Sequence, residues 1–350
     1  LGGNAIKNTF TRRYEAKEYY KASEIIVDKL LTLFPNRKLS IIKSYRNKES
    51  FGDIDILIKS QNTINDDIKA IKDKFKPKEF VRNSHIISFD FNELQVDVIF
   101  TNNEDYEASV QYFSYNDLNN ILGIICHSLG LKLGHDGLSY NFREGTNNYR
   151  NVVLSTDWEV VCKVLMLDYK TFVDGFDELE DIFKFVVSSP FFNKEIFSLE
   201  NRNHAARVRD NKRKTYTEFL KWIEDDNNLE DDIYYFPKVE NKYYWLPHLF
   251  DNIPNFEPMY NKVMDEWLLD KKFKLRYNGE IVSELTGLKG KELGEFMKWT
   301  KEYHAEDKLK MIINTINAEC IDDFILHNYN VYTGNLFNVE IPQTYLEGMK

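Results

Sequence analysis

The chain has 350 residues, a mass of 41.6 kDa and a net charge of −10. Hydrophobic residues make up 43% and charged residues 29%, the balance of a soluble globular protein, and no apolar run approaches the roughly 18–20 residues of a membrane span. A chain this acidic does not coat nucleic acid indiscriminately, so any nucleic-acid contact must come from local basic patches.

In chain order, residues 14–34 carry apolar side chains at helical spacing and predict an amphipathic helix. Leu39–Lys43 reads as a short strand, and Asp53–Lys59 (DIDILIK) as a second, after a polar turn. A helix is expected over 63–75, then strands at His85–Phe91 and Leu94–Phe100, then helix over 106–128 with a break near Phe113–Tyr115. Residues 1–150 therefore read as an α+β domain around a small mixed sheet. Beyond Arg150 the pattern turns mostly α-helical, with candidates at 156–168, 177–187, 200–224, 255–270, 291–303 and 306–326. The division is placed near 150, giving regions 1–150 and 151–350. A further subdivision is expected near 228–240, beside the acidic loop Glu224–Asp232. The amino-terminal segment does not read as a signal peptide, and three scattered cysteines argue against a disulfide framework. A reducing cytoplasm is the expected compartment, the host's if the chain is phage-encoded.

The chemistry concentrates in Lys43–Ile58. Side chains alternate across a strand, so Asp53 and Asp55 share one face while Ile54 and Ile56 point into a core. Two such carboxylates repel unless a cation lies between them, and a hard divalent ion such as Mg²⁺ prefers oxygen ligands. Asp97 is a third carboxylate, alone in the apolar strand LQVDVIF, where an unpaired charge is costly. If the two strands pair, three carboxylates converge and can hold two metals, the arrangement used for in-line phosphoryl transfer. Ser44, Arg46 and Gly52, in the preceding turn, supply a hydroxyl, a guanidinium and a permissive backbone suited to a triphosphate.

These residues resemble a known family. S-Y-R-N-K-E-S-F-G-D-I-D-I-L-I is similar to the palm motif of the polymerase β-like (family X) nucleotidyltransferases, S-[FY]-R-R-G-K-E-x-x-G-D-[IV]-D-hydrophobic. Leu94–Phe100 fits the strand of the third family carboxylate. Tyr112–Asn120 (YFSYNDLNN) is similar to the family's nucleotide-contact segment, and Ser128–Leu138 to a following β-hairpin region. The resemblance covers roughly residues 40–145. It implies a nucleotidyltransferase palm with two Mg²⁺ ions, for which Mn²⁺ can substitute, bound by the catalytic residues Asp53, Asp55 and Asp97. It also implies a nucleotide held by Ser44, Arg46, Gly52, Tyr112, Phe113 and Asn120. There are departures. Lys43 stands where the family has glycine before the serine, the turn is one residue shorter, and Tyr115 replaces a glycine at the bend.

Tyr277–Met297 is similar to a segment near the end of CCA-adding enzymes and poly(A) polymerases. Gly287 and Gly290 permit a tight turn there, and free amides at a helix start near Lys291 are an anion site. The same pattern also suits a tightly packed helix–turn–helix. The best basic patch is Arg202–Lys221, with Arg202, Arg207, Arg209, Lys212, Arg213 and Lys214 beside Tyr216, an arrangement suited to single-stranded nucleic acid or to a solvated helix. The expected activity is transfer of nucleotides from an NTP to a nucleic-acid 3′ end without a template, RNA or tRNA being favoured over DNA, with no membrane partner. Alternatives are a DNA polymerase or terminal transferase, a transferase acting on a protein or small molecule, and a non-catalytic RNA-binding protein.

Overall fold

The computed structural model describes residues 5–60, 64–225 and 243–335. It divides into two compact units, Leu1–Phe256 and Glu257–Lys350. The expected subdivision at 228–240, and the acidic loop beyond Asp225, lie outside the described residues.

The first unit opens with β1 (Tyr14–Glu15), α1 (Ala16–Leu33), β2 (Leu39–Ile41), β3 (Ser50–Phe51) and β4 (Asp53–Lys59). There follow α2 (Ile64–Phe75), β5 (Phe80–Asn83), β6 (Ile86–Phe91), β7 (Leu94–Thr101), α3 (Tyr106–Phe113) and α4 (Leu118–Ser128). The main sheet has five strands in the order β2-β4-β7-β6-β5. Only β4 and β7 run parallel, so the sheet is mixed. The period-2 pattern sorts its faces. Ile54, Ile56 and Ile58 of β4 and Val96 and Val98 of β7 are buried with Ile26 and Leu30 of α1 and Ile68 and Ile71 of α2 in one apolar cluster. On the other face, Leu57 and Ile99 are buried with Tyr106 of α3. That helix covers the far end of the face, while Asp53, Asp55 and Asp97 occupy the near end.

A second, antiparallel sheet of β8 (Leu131–Gly134), β9 (Gly137–Glu144) and β10 (Asn147–Ser155) follows. The resemblance implied a hairpin here, but β10 extends it to three strands. Beyond Ser155 the described chain is helical: α5 (Trp158–Val164), α6 (Tyr169–Asp174), α7 (Leu179–Val187), α8 (His204–Asp210), α9 (Lys214–Glu224) and α10 (Leu246–Asn252), with short 3₁₀ turns between. The change of pattern near residue 150 thus falls inside the first unit. The helices after it pack back onto the part that bears the sheets. Trp158 Nε1 donates to Asn119 Oδ1 in α4 at 3.1 Å, and Tyr140 of β9 meets the Phe256 ring at 5.5 Å.

The second unit is helical throughout its described residues: α11 (Phe256–Arg276), which begins at the division, α12 (Gly279–Thr286), α13 (Gly290–His304), α14 (Glu306–Thr315) and α15 (Ile321–Tyr332). Phe273, Tyr277, Val282, Phe296, Leu309, Ile312, Ile313, Phe324 and Ile325 form its core. Helix α12 is started by Asn278, whose side chain accepts from the amides of Glu280 at 2.9 Å and Ile281 at 3.1 Å. Asn278→Ala is expected to cost about 1 kcal/mol, read as a lower urea midpoint and faster amide exchange confined to the first turn of α12. The chain is thus mixed α+β, with a small mixed sheet and a mostly α-helical C-terminal half.

Candidate metal centre

Strands β4 and β7 pair in parallel with Asp55 directly beside Asp97 and Asp53 beside Gln95. This register brings the three carboxylates together, with one oxygen of each within 4.8 Å of the others. Among the described residues no other set of three His, Cys, Asp or Glu side chains converges in this way. Asp97 is buried at 1% exposure, and Asp55 Oδ1 is shielded from solvent without a hydrogen-bond partner. Burial, followed by the charges of Asp53 and Asp97, pushes the Asp55 carboxyl well above the ordinary carboxylate range. Burial likewise pushes Asp97 up to about 6, with Asp53 adding repulsion while hydrogen bonds from Ser88 and Gln95 pull the other way. Like charges crowded in a shielded place, with one orphaned oxygen, are what a bound cation would relieve. The donor set is carboxylate oxygen alone, which fits Mg²⁺ or Mn²⁺ and not a thiophilic metal.

Gln95 and Lys48, missed by the sequence reasoning, complete this corner together with Arg13. Gln95 donates to both oxygens of Asp97, each at 3.0 Å. Lys48 is attracted by Asp53 and Asp55, and burial lowers its pKa. Arg13 bonds Ser50 through its backbone oxygen at 2.7 Å and its hydroxyl at 3.1 Å. A Cβ on Gly52 would come within 3.1 Å of Arg13 Nη1, so the glycine admits a guanidinium next to the acidic strand. A Lys and an Arg flanking a D-x-D strand are a weak signal in sequence, because surface cations are common.

The expected nucleotide residues are distributed differently. Ser44 donates to Asn116 Oδ1 at 3.0 Å. Arg46 is exposed and engaged elsewhere: it pairs with Asp177 and donates to the Asp174 carbonyl at 2.7 Å. Its backbone amide and that of Asn47 bond the carbonyls of Phe176 and Asp177, each at 2.9 Å, so the loop after α6 holds this turn. Tyr112 packs edge-on to Phe113 at 5.4 Å and to Trp158 at 6.4 Å, and Phe113 stacks on His135. Asn120 has a shielded side-chain nitrogen with no partner. Tyr115 and Asn116 both adopt left-handed backbone, φ 62° and 60°, where the resemblance has a glycine. Such strain costs about 1–2 kcal/mol per residue and is opposed here by burial. The Tyr115 ring is 3% exposed against Phe172 and Phe176, and its amide donates to the Lys43 carbonyl at 2.7 Å.

The expected helix 200–224 is two helices, α8 and α9, broken at Asn211–Arg213. Asp210, the last residue of α8, is fully buried and pairs with Arg202 at 3.1 Å and Arg209 at 2.8 Å. Arg213 pairs with Asp117. Tyr216 is buried and donates to the Phe197 carbonyl at 2.6 Å, so it is a core residue and not a stacking platform. Arg207, Lys212 and Lys214 are exposed. In the second unit, Gly287 (φ 75°) closes α12 and Gly290 (φ 52°) opens α13. A Cβ on either would meet nothing within 4 Å, so these glycines serve backbone conformation and not close packing. Lys291 is exposed, 3.5 Å from Glu295.

No protein-family model matches the chain, and no curated protein matches it.

Proposed function

We propose that this chain is a Mg²⁺-dependent nucleotidyltransferase, with a palm of the polymerase β type in its first unit, that joins a nucleotide from an NTP to an acceptor hydroxyl and releases pyrophosphate. The observation that carries the reading is the convergence of Asp53, Asp55 and Asp97 on two parallel strands, with an orphaned, shielded oxygen on Asp55. Asp53 and Asp55 are the residues to hold both ions, and Asp97 one of them. When bound, the ions would lower the pKa of the acceptor hydroxyl and neutralise the triphosphate. Asp97, directly beside Asp55 on the paired strand, is the carboxylate proposed to accept the hydroxyl proton. Lys48 and Arg13 put positive charge beside the acidic strand, where a triphosphate needs it. Asn120 offers a donor without an internal partner, suited to the nucleoside.

A nucleic-acid 3′ end, RNA before DNA, is the first acceptor proposed, with Arg207, Lys212 and Lys214 as its phosphate contacts. A protein or small-molecule acceptor is the second reading. It is favoured by the internal pairing of Arg202, Arg209 and Arg213, which offsets the charge of half of the expected basic patch. One assay separates them: Mg²⁺, each labelled rNTP and dNTP in turn, and tRNA lacking its 3′ end, single-stranded RNA or primed DNA. Extension of RNA with rNTPs supports the first reading. Turnover of NTP without polynucleotide extension supports the second, and no turnover with any acceptor sinks the enzyme reading.

If RNA is bound, replacing Arg207, Lys212 and Lys214 by Gln is expected to flatten the slope of log affinity against log salt by about 2 units, as loss of three single-strand phosphate contacts requires. Titration of fluorescent RNA at several salt concentrations checks this. An unchanged slope removes those three from the interface.

A further inference from the structure

We propose that the segment Ala5–Thr9 is a strap that sets the third carboxylate of the metal centre, acting through Gln95. The inference rests on the metal-binding reading of Asp53, Asp55 and Asp97.

Gln95 lies on β7, two residues before Asp97 and on the same face, at 1% exposure. Its Oε1 accepts the backbone amides of Ala5 at 3.0 Å and Ile6 at 3.2 Å, while its Nε2 donates to both oxygens of Asp97. A backbone N–H can only donate, so the strap requires the oxygen of the Gln95 amide to face it. The NH₂ must then face Asp97. The strap thereby sets the orientation of the amide before any metal arrives, and the Gln95 NH₂ that holds both Asp97 oxygens fixes how that carboxylate is presented.

The strap is gripped a second time at the edge of the sheet. The Glu79 carboxylate accepts the amides of Lys7 at 3.1 Å, Asn8 at 2.7 Å and Thr9 at 2.7 Å, together with Asn8 Nδ2 at 3.2 Å. Glu79 is itself held, its amide donating to Asp90 Oδ1 at 2.7 Å. Five consecutive backbone amides, Ala5 to Thr9, thus donate to just two side chains, and Ile6 is buried beside them at 6% exposure. These bonds belong to no helix or strand, so the strap can detach while the sheet stays folded. Detachment would free the Gln95 amide to turn and leave Asp97 with Ser88 as its remaining fixed donor. Gln95 is therefore a positioning residue, and Glu79 is the remote anchor that keeps it in place.

The test uses the full chain and Mn²⁺ alone, with free Mn²⁺ read by electron paramagnetic resonance and amide exchange followed at residues 5–9. Glu79→Ala, which leaves every group around Asp97 in place, is expected to speed exchange of those amides and weaken Mn²⁺ binding about 10-fold, the scale of an outer partner of a metal ligand. Glu79→Gln, which retains one acceptor oxygen, is expected to fall between. Gln95→Ala is expected to weaken Mn²⁺ to a similar extent, and adding Glu79→Ala to it to change nothing more, because both act through one amide. Freed amides with unchanged Mn²⁺ affinity would overturn the strap, as would full additivity in the double variant. Asp55→Asn is the separate control: Mn²⁺ binding insensitive to it would overturn the metal reading itself, and the strap's role with it.

Discussion

Asp55→Asn is expected to abolish nucleotidyl transfer, by about 10³-fold or more, and at the same time to raise the unfolding midpoint of the metal-free protein. The two effects have one cause. Asp55 is the carboxylate most disfavoured by burial and by its like-charged neighbours, and one of its oxygens has no internal partner. In its charged form it repels Asp97 directly beside it and Asp53 on the same strand. Asn keeps the shape, removes the charge and turns one oxygen into a donor that can face Asp97 across the parallel pair. Each gain of about 1 kcal/mol moves the midpoint of a domain of 150–250 residues by roughly 2–4 °C. The activity loss follows because a bound cation supplies several kcal/mol of transition-state stabilisation, and about 4 kcal/mol is 10³ in rate. Calorimetry in EDTA and a labelled-NTP assay in Mg²⁺ on the same preparation check both. Activity lost together with stability would make Asp55 a structural residue, and activity retained would dismiss the metal assignment. A substitution that stabilises a protein while removing its activity is the mark of a site whose strain serves function.

The carboxylates were legible because the strand period is short and unforgiving. In DIDILIK the isoleucines had to be buried, so Asp53 and Asp55 had to share the other face. In LQVDVIF the only charge was Asp97. What the sequence could not carry was the pairing. Parallel strands are joined through a long crossover, here α2, β5 and β6, and nothing local in either strand states that Asp55 comes to lie beside Asp97. Gln95 was invisible for the same reason, since an uncharged amide in a strand acquires meaning only when the strap and Asp97 sit on its two sides. The β10 strand was missed because NNYRNVVLS is polar at its start and largely exposed, with no alternation to read. The basic segment misled in a different way. Helical spacing would put Arg202, Arg209 and Arg213 on one face of a single helix, but the helix is broken at Asn211–Arg213 and the three pair with the buried Asp210 and the distant Asp117. Charge runs reveal where cations are and leave open which have partners.

The second large effect is in pH. Asp97 has its carboxyl at about 6 in the folded protein against 3.8 for an unburied aspartate. A group whose folded pKa is raised binds its proton more tightly in the native state. Its stabilising contribution is complete below about pH 4 and is lost as pH rises through about 6. The metal-free protein is therefore expected to be less stable at pH 7.5 than at pH 5, with Asp97 contributing about 1.4 kcal/mol to the fall, because about one pKa unit of its displacement lies above pH 5. Asp55, displaced in the same direction, adds to the fall. This runs against the usual acid lability of proteins, whose paired carboxylates resist protonation. The carboxylates of Glu18, Glu79, Asp168 and Asp177 are of that kind here, lowered by hydrogen bonds to Arg12, to the strap amides, to Thr171 and to Arg46 respectively, but they are exposed to solvent and so contribute little. Mg²⁺ is expected to reverse the trend. It competes with the protons on Asp55 and Asp97, so it should stabilise strongly at pH 7.5, by about 2.7 kcal/mol at a hundredfold excess over its dissociation constant, and weakly at pH 5. Urea unfolding at pH 5, 6 and 7.5, in EDTA and in Mg²⁺, reads both arms, with Asp97→Asn expected to flatten the first. A metal-free midpoint that is level or rises from pH 5 to 7.5 would mean that the carboxylates are not strained in the folded state. Equal stabilisation by Mg²⁺ at both ends would mean that the ion binds elsewhere.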